Sequence, residues 1–270
     1  MPEVAAAASS GESEKEPMPT MGFLDHLEEL RKRIVYSIGA IAVGMVVCWG
    51  YRERIYAIMQ TPIVNVLRKH KLPEKLVYLN PTDPFNLYLK IAALAGLFLT
   101  SPFVLYQVWM FISPGLYRRE KKYVFPFMLS TITLFTLGGY FGYKIAYPRA
   151  LDFLIDFGQQ FQPTITISEY TQLFLSIVLG MGLIFEMPIV VFFLSFMGIL
   201  SPGFMLKHFR YAILIIFIIA AIVTPTPDVF NMCVFASPML GLYALSVGVA
   251  WLVHPKTREA REARREKAKS

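Results

Sequence analysis

The chain has 270 residues, 55% of them hydrophobic and 17% charged, with a mean hydropathy of +0.50 and a formal net charge of +7. A soluble domain carries roughly a quarter charged residues. Here the apolar residues fall into blocks separated by short polar segments, which excludes a soluble enzyme and leaves an integral membrane protein whose spanning segments satisfy their own backbone.

Residues 1–20, MPEVAAAASSGESEKEPMPT, lack the basic start and apolar core of a secretory signal, and are expected to be a disordered tail. Their acids also argue against an organelle transit peptide, so a bacterial cytoplasmic (inner) membrane is the expected home. Next comes GFLDHLEELRKRIVY, in which Phe23, Leu27, Leu30 and Ile34 fall on one side of a helix and Asp25, Glu28, Glu29 and Lys32 elsewhere. That pattern predicts an interfacial amphipathic helix feeding the first span. Glu28 with Lys32 and Glu29 with Arg33 are i,i+4 pairs that support such a helix.

Six apolar blocks follow: about Ile34 to Gly50, Phe85 to Ile112, Tyr123 to Ala146, Tyr170 to Met197, Tyr211 to Val223 and Val229 to Val253. Spanning a hydrocarbon core of about 30 Å takes roughly 20 helical residues. The fifth block, with about 13, reaches only about 20 Å, so it must thin the bilayer or be sheltered by longer helices. The expected fold is therefore an all-α membrane protein of six transmembrane helices, concave within the membrane. It divides into a tail (1–20), a six-helix domain (21–253) and a basic tail (254–270) expected to lie on anionic lipid. Placing both termini in the cytoplasm puts seventeen of the 26 Lys and Arg in inside segments and seven outside, with Lys90 and Lys144 within helix ends.

The second, fourth and sixth blocks carry interior prolines, Pro102, Pro188 and Pro238, each of which removes a backbone hydrogen bond and bends a helix. The second and fourth blocks then end in Ser-Pro-Gly, at 113–115 and 201–203. Either this is ordinary helix punctuation, or three bent helices line one concave wall. Gly138 and Gly142 form a GxxxG in the third block, a close-packing face.

Candidate functional residues are few. Cys48 and Cys233 form no CxxC, the four histidines form no HExxH, and no metal, cofactor, catalytic centre or nucleic-acid partner is expected. In the loop FISPGLYRREKKY, Glu120 sits among four cations after Phe111, Leu116 and Tyr117. That is either a positive-inside anchor with local pairing, or a cytoplasmic docking surface with acidic sockets over an apolar floor. Glu186, in GLIFEMPIVVFF, lies near the centre of the fourth block, where an acid costs roughly 2.5–3.5 kcal/mol on insertion scales. It has a functional role there, or it is a neutral acid hydrogen-bonded to a Ser or Thr.

Four motifs occur in order between Met21 and Val253: HLEELRKRI, SPFVLYQVWMFISPGLYRREKKY, FEMPIVV and TPTPDVF. With them the chain resembles the TatC family, the central subunit of the twin-arginine protein translocase. The resemblance implies binding of the signal peptides of folded proteins that carry paired arginines, in complex with TatB. It also implies organisation of TatA, in a multi-copy complex within the lipid bilayer, for transport driven by the proton-motive force. Carried over residue by residue, it puts Glu29, Arg31, Phe111, Leu116, Tyr117, Arg118 and Glu120 on the recognition surface. It makes Glu186 the membrane-embedded acid and links Pro62 and Asp228 to function or assembly. The last outer loop reads Thr-Pro-Thr-Pro-Asp, where the family more often has Thr-Pro-Pro-Asp. Carboxylates suit this role because they accept forked hydrogen bonds from guanidinium groups, which a lysine cannot reproduce. Two such sites contribute roughly 3–6 kcal/mol, whereas micromolar binding needs about 8. The remainder is expected from the apolar stretch of the signal peptide against the concave wall. A proton-coupled secondary transporter using Glu186 is the rival reading. An intramembrane serine protease is disfavoured by the lack of G-x-S-x-G.

Overall fold

The computed structural model describes residues 23–112, 124–161, 163–223 and 229–253. The helices are α1 (Phe23–Gly50), α2 (Arg52–Lys69), α3 (Asp83–Ile112), α4 (Val124–Phe141), α5 (Tyr147–Phe157), α6 (Ile167–Ile184), α7 (Met187–Phe196), α8 (Pro202–Lys207), α9 (Phe209–Val223) and α10 (Val229–Val253). Among the described residues five helical stretches are long and apolar enough to cross a membrane: Leu24–Gly50, Asp83–Ile112, Phe125–Phe157, Ile167–Phe196 and Met232–Leu252. At 15 residues, α9 falls short of that length, as the fifth apolar block leads one to expect.

The segment before the first span continues into it without a break, α1 running for 28 residues. The loop after it contains α2, whose Met59, Pro62, Ile63, Val66 and Leu67 are buried, leaving its charged residues outside. This helix is too charged to register as an apolar block. Finally, Ser201-Pro202-Gly203 does not end the fourth block. That helix stops at Phe196, with Gly198 at φ +75°, a backbone geometry that glycine adopts without Cβ strain. Ser201 instead caps α8, accepting from the Phe204 amide at 3.1 Å, with Pro202 in the first turn.

Every proline inside a helix strips the donor from the carbonyl four residues back. In α3, the hydroxyl of Ser101 donates at 2.8 Å to the Phe98 carbonyl that Pro102 leaves free. In α10, Ser237 does the same at 3.2 Å for Val234 beside Pro238. In α2, the carbonyl freed by Pro62 belongs to Ile58, and Tyr143 reaches it from the far side at 2.8 Å. No serine precedes Pro188, and there the helix breaks into α6 and α7 around Phe185 and Glu186. Between α4 and α5, a π-helical turn (Gly142–Ala146) takes up the register change ahead of Pro148.

Glycines set the closest helix crossings. A Cβ on Gly96 of α3 would lie 2.5 Å from the Met45 nitrogen of α1. On Gly138 of α4 it would lie 2.5 Å from the Met181 carbonyl oxygen of α6, and Gly142 also backs onto α6. The GxxxG thus meets α6 as a close-packing face. The core between α2, α3, α5, α6, α9 and α10 is apolar, centred on Ile63, Ile91, Tyr147, Ile177, Met181 and Met239. At the α2 end of the molecule, Val77 forms a parallel bridge with Thr166. Asp83 accepts there from the amides of Leu79 and Asn80 and from the Ser168 hydroxyl. Lys69 and His70 both meet Asp152 of α5. This end is therefore tied by polar contacts across three segments.

Candidate functional site on the α1–α3 face

His26, Glu29 and Arg33 are spaced three and four apart, so they share one face of α1. That face meets Gln107 and Phe111, four apart on α3. The His26 ring stacks on Phe111 with centroids 4.4 Å apart and planes at 14°. Arg33 spreads its guanidinium over two acceptors. Its Nη2 donates to Glu29 Oε1 at 3.1 Å and its Nη1 to Gln107 Oε1 at 2.9 Å. Gln107 is 5% exposed, and the side chains of Arg33 and Glu29 are 23% and 18% exposed. The second carboxylate oxygen of Glu29, Oε2, is buried and has no hydrogen-bond partner among the described residues. Glu28 and Lys32 also pair, at 2.9 Å, but both are largely in the open; such a pair is ordinary helix support. Arg31 is exposed and off this face.

The structure therefore brings Glu29 and Phe111 to one place and leaves Arg31 outside it. Leu116, Tyr117, Arg118, Glu120 and Asp228 lie outside the described residues. Two contributors carry no expectation from sequence: His26 and Gln107. Gln107 had a readable signal, an amide in an apolar helix one turn before Phe111. His26 had the matching offset from Glu29 and Arg33, visible only once α3 supplies the opposite wall.

Glu186 sits at the α6–α7 joint. Its backbone is satisfied, with the amide donating to Leu183 and the carbonyl accepting from Ile189 and Val190 at 3.0–3.1 Å. Its side chain caps no helix. Oε1 is buried with no hydrogen-bond partner among the described residues, so for this oxygen the Ser or Thr partner of a purely structural acid is not there. Pro62 lies at the α2 end, lining a cleft of ≈ 270 Å³ with Thr61, Asn65, Lys69, Lys144 and Asp152.

A carboxylate tied to a guanidinium through one oxygen, with the other oxygen lacking a donor, can accept a further cationic donor. Residues 25–238 match the model of the Sec-independent protein translocase protein (TatC) family. The Sec-independent protein translocase protein TatC of Koribacter versatilis is 61% identical over 252 residues, 93% of each chain. That of Aquifex aeolicus is 35% identical over 90% of this chain and all of its own. A crystal structure of the twin arginine translocase receptor TatC superposes with a TM-score of 0.74 at 35% identity, over 84% of this chain and 99% of that one. A second, in DDM, gives 0.75 at 36% identity, over 83% and 99%. These relatives are named as translocase components, a transport role and not an enzymatic one. With its family model covering most of the chain and its apolar helices long enough to span a bilayer, the chain belongs to the TatC family of membrane-embedded Sec-independent protein translocase proteins.

Proposed function

We propose that this chain is the receptor subunit of a twin-arginine translocase. It binds the paired-arginine signal peptides of folded proteins and organises TatA and TatB for export driven by the proton-motive force. In this reading it is a bacterial inner-membrane protein with six crossings, α9 being the short one, and both termini lie in the cytoplasm. The carrying observation is Glu29, whose carboxylate is fixed through one oxygen while the other stays buried without a donor among the described residues. Glu120 is the second arginine acceptor, and Arg31, Leu116, Tyr117 and Arg118 complete the recognition surface beside Phe111. The apolar stretch of the signal peptide lies along the concave wall and supplies the remaining affinity. Glu186 acts in transport or in its coupling to TatA, while Pro62 and Asp228 serve assembly at the opposite face.

Photo-crosslinking in native membranes tests this reading, with the reactive group beside the paired arginines and Arg-Arg compared with Lys-Lys peptides. Labelling of this chain should need both the arginines and Glu120, and Glu120→Gln should reduce it. Labelling indifferent to both changes would return the loop to a topological anchor. The transporter alternative calls for broken helices in matched halves. Among the described residues Pro102 and Pro238 stay inside continuous helices, and the break at Pro188 has no counterpart.

A further inference from the structure

We propose that Gln107 is a positioning residue for arginine recognition, holding Arg33 so that Glu29 keeps one oxygen for the signal peptide. The inference rests on the reading of Glu29 as an arginine acceptor and deepens it. A guanidinium beside a carboxylate ordinarily closes its fork on both oxygens. Arg33 does not, because its Nη1 is taken by Gln107 Oε1 at 2.9 Å and only Nη2 reaches Glu29, at 3.1 Å. The amide oxygen thus divides the fork between two acceptors, and Glu29 Oε2 is left buried and without a donor among the described residues. Gln107 suits the task on three counts. It is 5% exposed, so few rotamers are open to it. It is uncharged, so it draws Arg33 without competing as an anion for an incoming arginine. And it sits one turn from Phe111, whose stack on His26 fixes the same two helices in register.

Remove the amide oxygen and the fork of Arg33 is free to close on Glu29. An arginine of the signal peptide would then have to displace a bidentate intramolecular pair, while a lysine, which never used the fork, would lose less. Gln107 therefore acts on discrimination between arginine and lysine more than on overall binding.

The test uses the full chain with its partner subunits in membrane vesicles, reading the ratio of Arg-Arg to Lys-Lys crosslinking. Gln107→Met, nearly isosteric and without the oxygen acceptor, should lower that ratio roughly tenfold, the worth of one charge-assisted hydrogen bond. In an Arg33→Met background the change at Gln107 should have no further effect, because the two act through one contact. If Gln107→Met fails to accumulate, Gln107→Asn, which stays polar but stops one methylene short of Arg33, should give the same fall. Glu29→Gln runs alongside. A full ratio in assembled Gln107→Met (or in Gln107→Asn), with Glu29→Gln losing it, overturns the positioning role alone. A full ratio in Glu29→Gln overturns the arginine-acceptor reading and this role with it.

Discussion

The hydroxyl of Tyr143 donates at 2.8 Å to the carbonyl of Ile58, the acceptor that Pro62 leaves without its helical donor. The two residues lie on different helical segments, so the gap in α2 becomes a link to the π-helical turn after α4. Tyr170 adds a second hydroxyl to the same stretch, donating to the Met59 carbonyl at 2.6 Å. A proline that would simply weaken α2 is in this way part of what fixes α2 against the bundle.

Tyr143→Phe should therefore lower stability by about 0.5–1.5 kcal/mol, the net worth of a hydrogen bond. Pro62→Ala restores an amide to the Ile58 carbonyl, so Tyr143→Phe should cost less in that background. Thermal unfolding of the four purified proteins in one detergent measures the coupling. Additive losses would show that the hydroxyl does not stand in for the missing amide.

The α1–α3 crossing gives a sharper contrast. Gly96→Ala places a methyl 2.5 Å from the Met45 nitrogen and 2.8 Å from the Gly44 carbonyl carbon, both backbone atoms that cannot rotate away. The helices must separate, at a cost of about 1–3 kcal/mol or more. Gly39→Ala, with nothing within 4 Å, should be neutral or slightly stabilising. Melting temperatures of the two variants check the pair, and equal effects would mean the crossing is looser than described.

The serine-proline pairs predict a ranked effect. Ser101 is 3% exposed and bonds the Phe98 carbonyl at 2.8 Å, whereas Ser237 is exposed and bonds Val234 at 3.2 Å. Ser101→Ala leaves a carbonyl unpaired in the interior and should cost about 1–3 kcal/mol. Ser237→Ala should cost less than half as much. Unfolding of both variants in the same detergent decides the order.

Much of this architecture is legible in sequence, because a membrane demands long apolar helices and punishes any break in them. The short fifth block and the glycine face of the third block both follow from that rule. What stays hidden depends on partners from elsewhere in the chain. The charged α2 looks like loop until α3 and α5 cover Ile63 and Val66. Glu29 is readable as an acid of the HLEELRKRI motif. Its setting is not readable, because the Arg33 guanidinium that it holds is shared with Gln107, 74 residues further along. Ser201-Pro202-Gly203 misleads because the same three residues serve as a helix stop or a helix cap, and Gly198 had already ended α7.

Glu186 separates stability from function. An acid whose Oε1 is buried without a hydrogen-bond partner carries a desolvation penalty that no described contact repays. Its backbone bonds at the α6–α7 joint do not involve the carboxyl, so they survive substitution. Glu186→Leu and Glu186→Gln should therefore insert, assemble and melt at or above the wild-type temperature. If the carboxyl is retained for transport or for coupling to TatA, both variants should export poorly despite that stability, Leu more severely than Gln because Gln keeps a hydrogen-bonding head. Export assays in vesicles, normalised to assembled complex, give the answer. Full export by a stably assembled Glu186→Leu protein would remove Glu186 from the mechanism. A protein that instead fell apart in mild detergent would make the acid a structural element of the joint, engaged by a donor through its other oxygen.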